Sequence, residues 1–190
     1  MKIFVDAGHS GSVEPGACYF NFRECDVALN IALKTGKALI NQGFEVVQYR
    51  TGEIKSTSLT DRAVAANQCR ADFFLSVHCN AFTNGLASGV EAYYYALSNV
   101  GKEIAGQLCG DLKYATGFLN RGAKTAAFTV LTATAMPAVL LEVGFLSNRQ
   151  EADYLTSESG SNIIASAVAN TLVGFFGRNV SKCPMCGRIF

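Results

Sequence analysis

The sequence lacks an excess of charge of either sign. Its 16 Lys and Arg residues are matched by 15 Asp and Glu residues, which leaves a formal net charge of +1 at pH 7. Proteins that attract nucleic acid or an acidic membrane surface through their electrostatic field carry a larger positive charge. The balance therefore argues against both of these partners and suits a neutral or zwitterionic polymer better.

Long hydrophobic runs are also missing. No apolar segment approaches the roughly 20 residues that span a bilayer. Residues 1–6 form a short apolar segment, without the basic stretch and longer apolar run of a secretory signal. We therefore expect no membrane span and no signal peptide, and a chain that is made in the cytoplasm.

A regular disulfide framework is absent as well. The seven cysteines are odd in number and five of them are scattered singly, so we expect reduced thiols. The other two, Cys183 and Cys186, form a Cys-Pro-Met-Cys-Gly motif like one knuckle of a zinc ribbon. Structural zinc needs four ligands, and no second Cys-x-x-Cys is present. The alternatives are an idle tail, a second metal shared between two copies of the chain, or recruitment of Cys18 or Cys109.

Hydrophobic residues make up 49% of the chain, enough for one sizeable core. The predicted strands cover residues 2–6, 44–49, 72–78, 89–96, 128–132 and 138–145. The predicted helices cover residues 24–41, 62–68, 101–115 and 162–176, and a capping-box pattern runs from Ser58 to Asp61. This alternation predicts an α/β fold in a single domain, 1–177, with a mainly parallel twisted sheet flanked by helices on both faces. Residues 178–190 form a separate tail.

Histidine is scarce, and its two positions are informative. His9 and His78 each follow or end an apolar strand, where ligands gather in open α/β sheets. Glu142 lies in a third apolar strand, where an unpaired carboxylate is costly. Glu24 opens the first helix, where exposed N–H groups favour a carboxylate. Two imidazoles and one carboxylate form a known catalytic zinc set, and a second glutamate can transfer protons.

The residues alone leave a structural interpretation open. A histidine at a strand end is more often a hydrogen-bonded structural residue, and a glutamate at a helix start usually only compensates the helix dipole. Cys79, next to His78, is a further candidate ligand, but a small buried apolar role suits it better because neighbouring strand residues face opposite sides.

Six segments resemble, in order, the N-acetylmuramoyl-L-alanine amidases of the amidase-3 family. They are VDAGH (5–9), ECDVAL (24–29), SVHCNA (76–81), GVEAYY (89–94), NRGAK (120–124) and MPAVLLEVGFLSN (136–148). The resemblance covers residues 1–177. One departure lies in the first loop, where Glu14 stands in place of the usual aspartate.

The resemblance implies a catalytic Zn²⁺ held by His9, Glu24 and His78, with Glu142 as the catalytic acid and base. It also implies hydrolysis of the amide bond between N-acetylmuramic acid and the L-alanine of the stem peptide, with peptidoglycan as the partner and the cell wall as the place of action. Asn80 and Arg121, with Lys124, are predicted from their positions to bind substrate.

Two other functions remain open at this level. A zinc carboxypeptidase acting on stem peptides would use similar residues, and a wall-binding module without catalysis would need none of the four. The biological role, as a phage lysin, a host autolysin or a sporulation enzyme, is also open. The absence of a visible signal peptide favours a lysin released by a partner or an enzyme acting inside a mother cell.

Overall fold

A computed structural model of the protein describes residues 1–55 and 58–177. The predicted cysteine knuckle, Cys183 and Cys186, lies outside the described residues. The elements are, in chain order, β1 (Lys2–Ala7), β2 (Cys18–Tyr19), β3 (Phe22–Arg23), α1 (Glu24–Asn41), β4 (Glu45–Gln48), α2 (Leu59–Gln68), β5 (Phe73–Asn80), β6 (Val90–Tyr94), α3 (Asn99–Thr116), β7 (Asn120–Thr125), α4 (Thr129–Thr132), β8 (Ala138–Phe145), α5 (Arg149–Thr156) and α6 (Glu158–Gly177).

Six of the strands form one sheet in the order β4-β1-β5-β8-β6-β7, and β2 and β3 form a separate hairpin. The pairs β1–β4, β1–β5, β5–β8 and β6–β7 are parallel, whereas β6 runs antiparallel to β8. The predicted mainly parallel sheet is confirmed. As a consequence, β1, β5 and β8 lie side by side in the centre with their carboxyl ends at one edge.

Helices cover both faces of this sheet, as predicted. One face packs against α1, α3 and α6, where Ile31, Leu108 and Val168 are fully buried together with Val5 and Leu75. The other face packs against α2 and α4 through a smaller apolar cluster around Phe4 and Phe74. Phe4 and Val5 therefore point to opposite faces, as the alternation of strand side chains requires. Because both faces of the sheet are buried, the sequences of these strands are nearly continuous apolar runs.

Local sequence signals set the helix limits. At the start of α2, the Ser58 hydroxyl accepts a hydrogen bond from the Asp61 N–H and the Asp61 carboxylate accepts one from the Ser58 N–H, which confirms the predicted capping box. After α1, Gly43 adopts φ +88°, a conformation that glycine takes at low cost. The chain then turns directly into β4.

The prediction of a strand at 128–132 is wrong. This segment forms the short helix α4, in which the N–H groups of Leu131 and Thr132 bond to the Phe128 carbonyl. Val130 and Leu131 are adjacent in sequence and both buried. A strand would have turned one of them away from the core, so packing between α2 and β8 selects the helix. Strand β7 and helix α5 were not predicted.

The last helix, α6, is the one described helix whose length and composition would allow a membrane span. It packs against α1 and α3 instead, and Ile164, Val168 and Leu172 are fully buried in the main core. This packing explains its apolar character.

Candidate active site

The predicted site residues converge at the carboxyl edge of the three central strands. His9 follows β1, His78 lies near the end of β5, and Glu142 lies in β8 directly opposite His78 in the pairing register. Glu24 approaches from the first turn of α1. Four residues that are distant in sequence thus meet because parallel neighbouring strands end at the same edge.

Two buried arginines hold the loop that carries His9. Arg62 donates to the His9 carbonyl at 2.6 Å and forms an ion pair with Asp6 at 2.6 Å. Arg50 donates to the Gly8 carbonyl at 2.7 Å. His9 itself has φ +61°, which is uncommon for a residue with a side chain. The tight loop therefore has its carbonyl groups satisfied by guanidinium donors, which keep the imidazole at the sheet edge.

Glu24 lies between the two histidines. Its Oε2 is 2.9 Å from His9 Nε2 and its Oε1 is 2.9 Å from His78 Nδ1. The N–H groups of Ala17 and Cys79 also donate to these oxygens, at 2.9 and 3.2 Å. Burial raises the pKa of Glu24, but the hydrogen bonds with His78 and His9 outweigh it and hold the pKa well below its usual range. Glu24 is therefore a carboxylate at neutral pH.

These three side chains have the composition and the spacing to hold a metal ion. Their donor atoms all lie within 4.8 Å of one another. The backbone of two glycines packs closely against these side chains. A Cβ at Gly8 would overlap the His78 ring, and a Cβ at Gly16 would lie 2.5 Å from Glu24 Oε2. Two imidazoles and one carboxylate match catalytic zinc sites, which leave one position for water or substrate.

Glu142 differs from Glu24 because no histidine or backbone N–H group is bonded to its Oε2. Its Oε2 is shielded from solvent and has no hydrogen-bond partner among the described residues. Burial raises its pKa to about 7, and the charges of Glu24 and Glu91 act in the same direction against that of His78. A carboxyl group with this pKa exchanges a proton readily near neutral pH.

A cavity of about 470 Å³ opens over these residues. Its floor contains His9, Glu24, His78 and Glu142, and its walls come from residues of several other elements: Asp6, Glu14, Leu59, Arg62, Cys79, Asn80, Ala81, Ala127, Phe128, Thr129, Val130 and Leu140. The size suits a sugar unit or a short peptide rather than a single small ion.

Comparison with known proteins identifies the family to which the chain belongs. The family described as N-acetylmuramoyl-L-alanine amidase matches residues 3–173. The chain belongs to this amidase family. It is 39% identical over 188 residues to the N-acetylmuramoyl-L-alanine amidase CwlM of Bacillus licheniformis. The aligned residues cover 96% of this chain and 70% of that protein. It is 38% identical over 192 residues to the sporulation-specific N-acetylmuramoyl-L-alanine amidase of Bacillus subtilis, with 98% and 72% covered.

A solved amidase structure agrees with the sequence comparison. The N-acetylmuramoyl-L-alanine amidase of Clostridium difficile 630 superposes with a TM-score of 0.88 at 31% identity, over 93% of this chain and 96% of that one. The predicted α/β fold and the predicted class of activity, an amidase acting on cell-wall peptidoglycan, are thereby confirmed.

The amidase contains a further buried carboxylate next to the site, Glu91, whose role sequence reasoning missed. Glu91 is 3% exposed and lies opposite Glu142 in the β6–β8 register. Asn80 and Tyr93 donate to its Oε1, and Arg121 and Lys124 donate to its Oε2. Burial raises the pKa of Glu91, but the hydrogen bonds from Lys124, Tyr93 and Arg121 outweigh it and lower the pKa to about 2.

This network determines what the predicted substrate-binding residues contact. The Asn80 amide nitrogen is bonded to Glu91 at 2.8 Å and its oxygen to the Ala81 N–H at 2.8 Å. Arg121 bonds to Glu91 at 2.7 Å and lies over the Phe145 ring at 4.9 Å. Only Asn80 of this group lines the amidase cavity, so contact with substrate remains a prediction. The signal for Glu91 was available, since it too is a carboxylate within an apolar strand.

Cys79 is not arranged as a fourth ligand. Its side chain belongs to the main apolar core and is 1% exposed, while its N–H supports Glu24. Burial raises the pKa of this thiol well above its ordinary range, which favours the neutral form. A neutral thiol is a poor metal ligand.

Proposed function

We propose that the amidase hydrolyses the bond between N-acetylmuramic acid and L-alanine with one Zn²⁺ held by His9, Glu24 and His78, and with Glu142 as the proton-transfer group. The observation that carries this proposal is the meeting of the three donor side chains beside Glu142, whose Oε2 has no hydrogen-bond partner among the described residues. Most buried polar atoms in proteins are hydrogen-bonded, so an unpaired carboxylate oxygen in a residue that lines the cavity supports a chemical role.

The ligand assignment rests on the donor set. A Zn²⁺ ion held there would supply Lewis acidity that polarises the scissile carbonyl and makes water a better nucleophile at neutral pH. Glu24 brings a negative charge, and the N–H groups of Ala17 and Cys79 orient its two oxygens. Arg62 fixes the backbone of His9 by its bond to the carbonyl. Such supporting contacts orient ligands and affect metal affinity.

Glu142 would carry the proton through both halves of the reaction. Its carboxylate accepts a proton from the attacking water, whose oxygen forms a bond to the carbonyl carbon of the lactyl group. When the carbon–nitrogen bond breaks, Glu142 returns that proton to the departing nitrogen of L-alanine. The products are a muramic acid carboxylate and a free amino terminus. In the metal-free protein, burial raises the pKa of Glu142 to about 7, which favours a group that can both accept and return a proton.

The ligand assignment is tested by elemental analysis of His78→Ala. The full chain should also carry Cys183→Ser and Cys186→Ser, so that the tail binds no zinc. We expect the folded His78→Ala variant to lose stoichiometric zinc, because one of three protein ligands is removed. Glu14→Gln is the matched control: Glu14 lines the same cavity and lies 3.6 Å from His9 Nδ1, but it is not a proposed ligand. A folded His78→Ala protein that retains one zinc contradicts the assignment.

The bond that is cut is identified from the products of digested peptidoglycan. The proposed amidase releases amino termini of L-alanine, and removal of the metal with a chelator abolishes the release until zinc is restored. A carboxypeptidase would instead release a carboxyl-terminal amino acid. A wall-binding module would sediment with purified sacculi and release neither product.

A further inference from the structure

An exposed aromatic cluster lies at the same edge of the sheet as the active site. Tyr19 and Phe20 belong to the hairpin that follows β1, Phe82 follows β5, and Arg149 follows β8. We call these four residues the aromatic platform. The same three strands position His9, His78 and Glu142, so both groups of residues project from the carboxyl ends of neighbouring strands.

Contacts hold the four residues close together, three of them through their side chains and Phe82 through its backbone carbonyl. The Tyr19 hydroxyl donates to the Phe82 carbonyl at 3.4 Å, and the Tyr19 and Phe20 rings have centroids 6.2 Å apart. The Arg149 guanidinium lies 5.1 Å from the centroid of Phe20. Phe20 is 40% exposed and Phe82 is 57% exposed, so both rings present apolar area to solvent.

Phe20 is held in a backbone conformation that its own side chain disfavours. Phe20 and Asn21 have φ +53° and +67° and form the two-residue turn between β2 and β3. Such turns select Asn and Gly, and a bulky aromatic residue there is strained. Burial offsets little of the strain, because Phe20 is 40% exposed and belongs to neither apolar core. Backbone strain that is not offset by packing is typical of a functional position.

The platform is also close to the reacting centre. Phe20 is four residues from Glu24, and Phe82 is four residues from His78. Four residues span at most about 14 Å even when fully extended. Ala81, which precedes Phe82, lines the active-site cavity. The Cα atoms of Phe20 and Phe82 therefore lie within about 14 Å of those of Glu24 and His78, respectively.

We propose that the aromatic platform binds pyranose rings of the glycan strand that adjoin the muramic acid being cut. This rests on the proposed function, which makes a glycan polymer the substrate. The exposed parts of the two phenylalanine rings offer apolar area and no hydrogen-bonding group, which suits the C–H face of a neutral sugar ring. A stem peptide, by contrast, presents charged groups that call for ion-pairing partners, and Arg149 is already bonded to Asp153 at 2.9 Å.

The test compares Phe20→Asn with the parent on two substrates. Asn suits this turn, so the variant should fold with an unfolding temperature equal to or above that of the parent. We expect KM for polymeric peptidoglycan to rise roughly threefold to tenfold, the scale of one lost aromatic contact. Turnover of a muramoyl peptide that carries a single sugar should not change, because its neighbouring rings are absent. Phe82→Ala should reproduce the effect.

Leu97→Asn is the control, because Leu97 is 81% exposed but follows β6 at the opposite edge of the sheet. The proposal is overturned if the KM for the polymer is unchanged in both platform variants. It is also overturned if these variants bind free stem peptides more weakly but bind peptide-free glycan strands normally. A parent enzyme that releases no L-alanine amino termini from either substrate refutes the proposed function instead. Binding of peptide-free glycan strands that is lost in Phe20→Asn supports the platform independently of hydrolysis.

Discussion

Glu142 and Glu91 occupy opposed positions on β8 and β6, yet their surroundings drive their proton affinities apart. Glu91 receives four hydrogen bonds, two of them from cations, and remains ionised. Glu142 has a shielded oxygen without a partner, and burial raises its pKa to about 7. Two carboxylates in contrasting environments are a common basis for dividing acid–base and structural roles. The contrast supports the proposed proton-transfer role of Glu142 and gives Glu91 a structural role, in which it holds Asn80 at the cavity.

Substitution of Glu142 by Gln separates catalysis from metal holding. The amide has nearly the same shape but neither accepts nor returns a proton at neutral pH. We expect the rate of L-alanine release to fall by about two or more orders of magnitude, the scale of general acid–base assistance. Zinc content and thermal stability should match those of the parent. Full activity would refute the proton-transfer role, and joint loss of zinc and activity would make Glu142 a ligand and reopen the assignment of Glu24.

Substitution of Glu91 by Gln tests the structural carboxylate. The loss of its charge leaves Lys124 and Arg121 without a counter-ion, so we expect the free energy of unfolding at pH 7 to fall by about 1–3 kcal/mol. Glu45→Gln is the control, because Glu45 forms a similar pair with Lys2 at 3.1 Å but is largely exposed. Denaturant titrations measure both variants.

The stability difference between the parent and Glu91→Gln should depend on pH. The pKa of Glu91 is lowered in the folded state from its ordinary 4.5 to about 2. Its stabilising contribution is therefore fully present above pH 4.5 and is lost as the pH falls through about 2. We expect the stability difference between the parent and Glu91→Gln to shrink over this range. A difference that stays constant from pH 7 to pH 2 would show that ionisation of Glu91 is not the cause.

At the scale of elements, the loop between β1 and α1 is shaped around the histidine rings. A methyl group at Gly8 would overlap the His78 ring, although the backbone of Gly8 does not itself require glycine. We expect Gly8→Ala to displace His78 and to weaken zinc binding by about tenfold to a hundredfold, the effect of disturbing a ligand's support. Competition with a chelator measures the affinity. Gly106→Ala in α3, where an added methyl meets nothing within 4 Å, should bind zinc like the parent.

Sequence patterns were sufficient to predict some secondary-structure elements but not others. Helix α1 was predicted at its observed limits because its apolar residues recur at helical spacing and Gly43 ends it. The segment 128–132 was mistaken for a strand because a run of Phe, Thr and Val suits a pleated surface. Its helical form depends on the joint burial of Val130 and Leu131 between α2 and β8. Short segments carry too little periodicity to decide this on their own.

At the scale of the molecule, the catalytic unit is expected to be complete within residues 1–177. The last described helix ends at Gly177, and all proposed ligands and Glu142 precede it. We predict that removal of residues 178–190 leaves peptidoglycan hydrolysis unchanged, whereas self-association through Cys183 and Cys186, if present, is lost. Product release and sedimentation velocity measure the two properties. A folded truncated monomer without activity would contradict the domain boundary.

The sequence by itself determined the family of this chain and its class of activity, an amidase. Two histidines, a helix-opening Glu24 and a carboxylate at Glu142 within an apolar strand indicated a candidate metal site but left a structural role open. The resemblance to the amidase-3 family added the reaction. Only the tertiary structure decided which groups are neutralised. Glu91 and Glu142 share the same local signal, an acid among apolar neighbours, but cations from β7 reach one and not the other. Pairing across strands is a property of register and packing, which no local pattern contains.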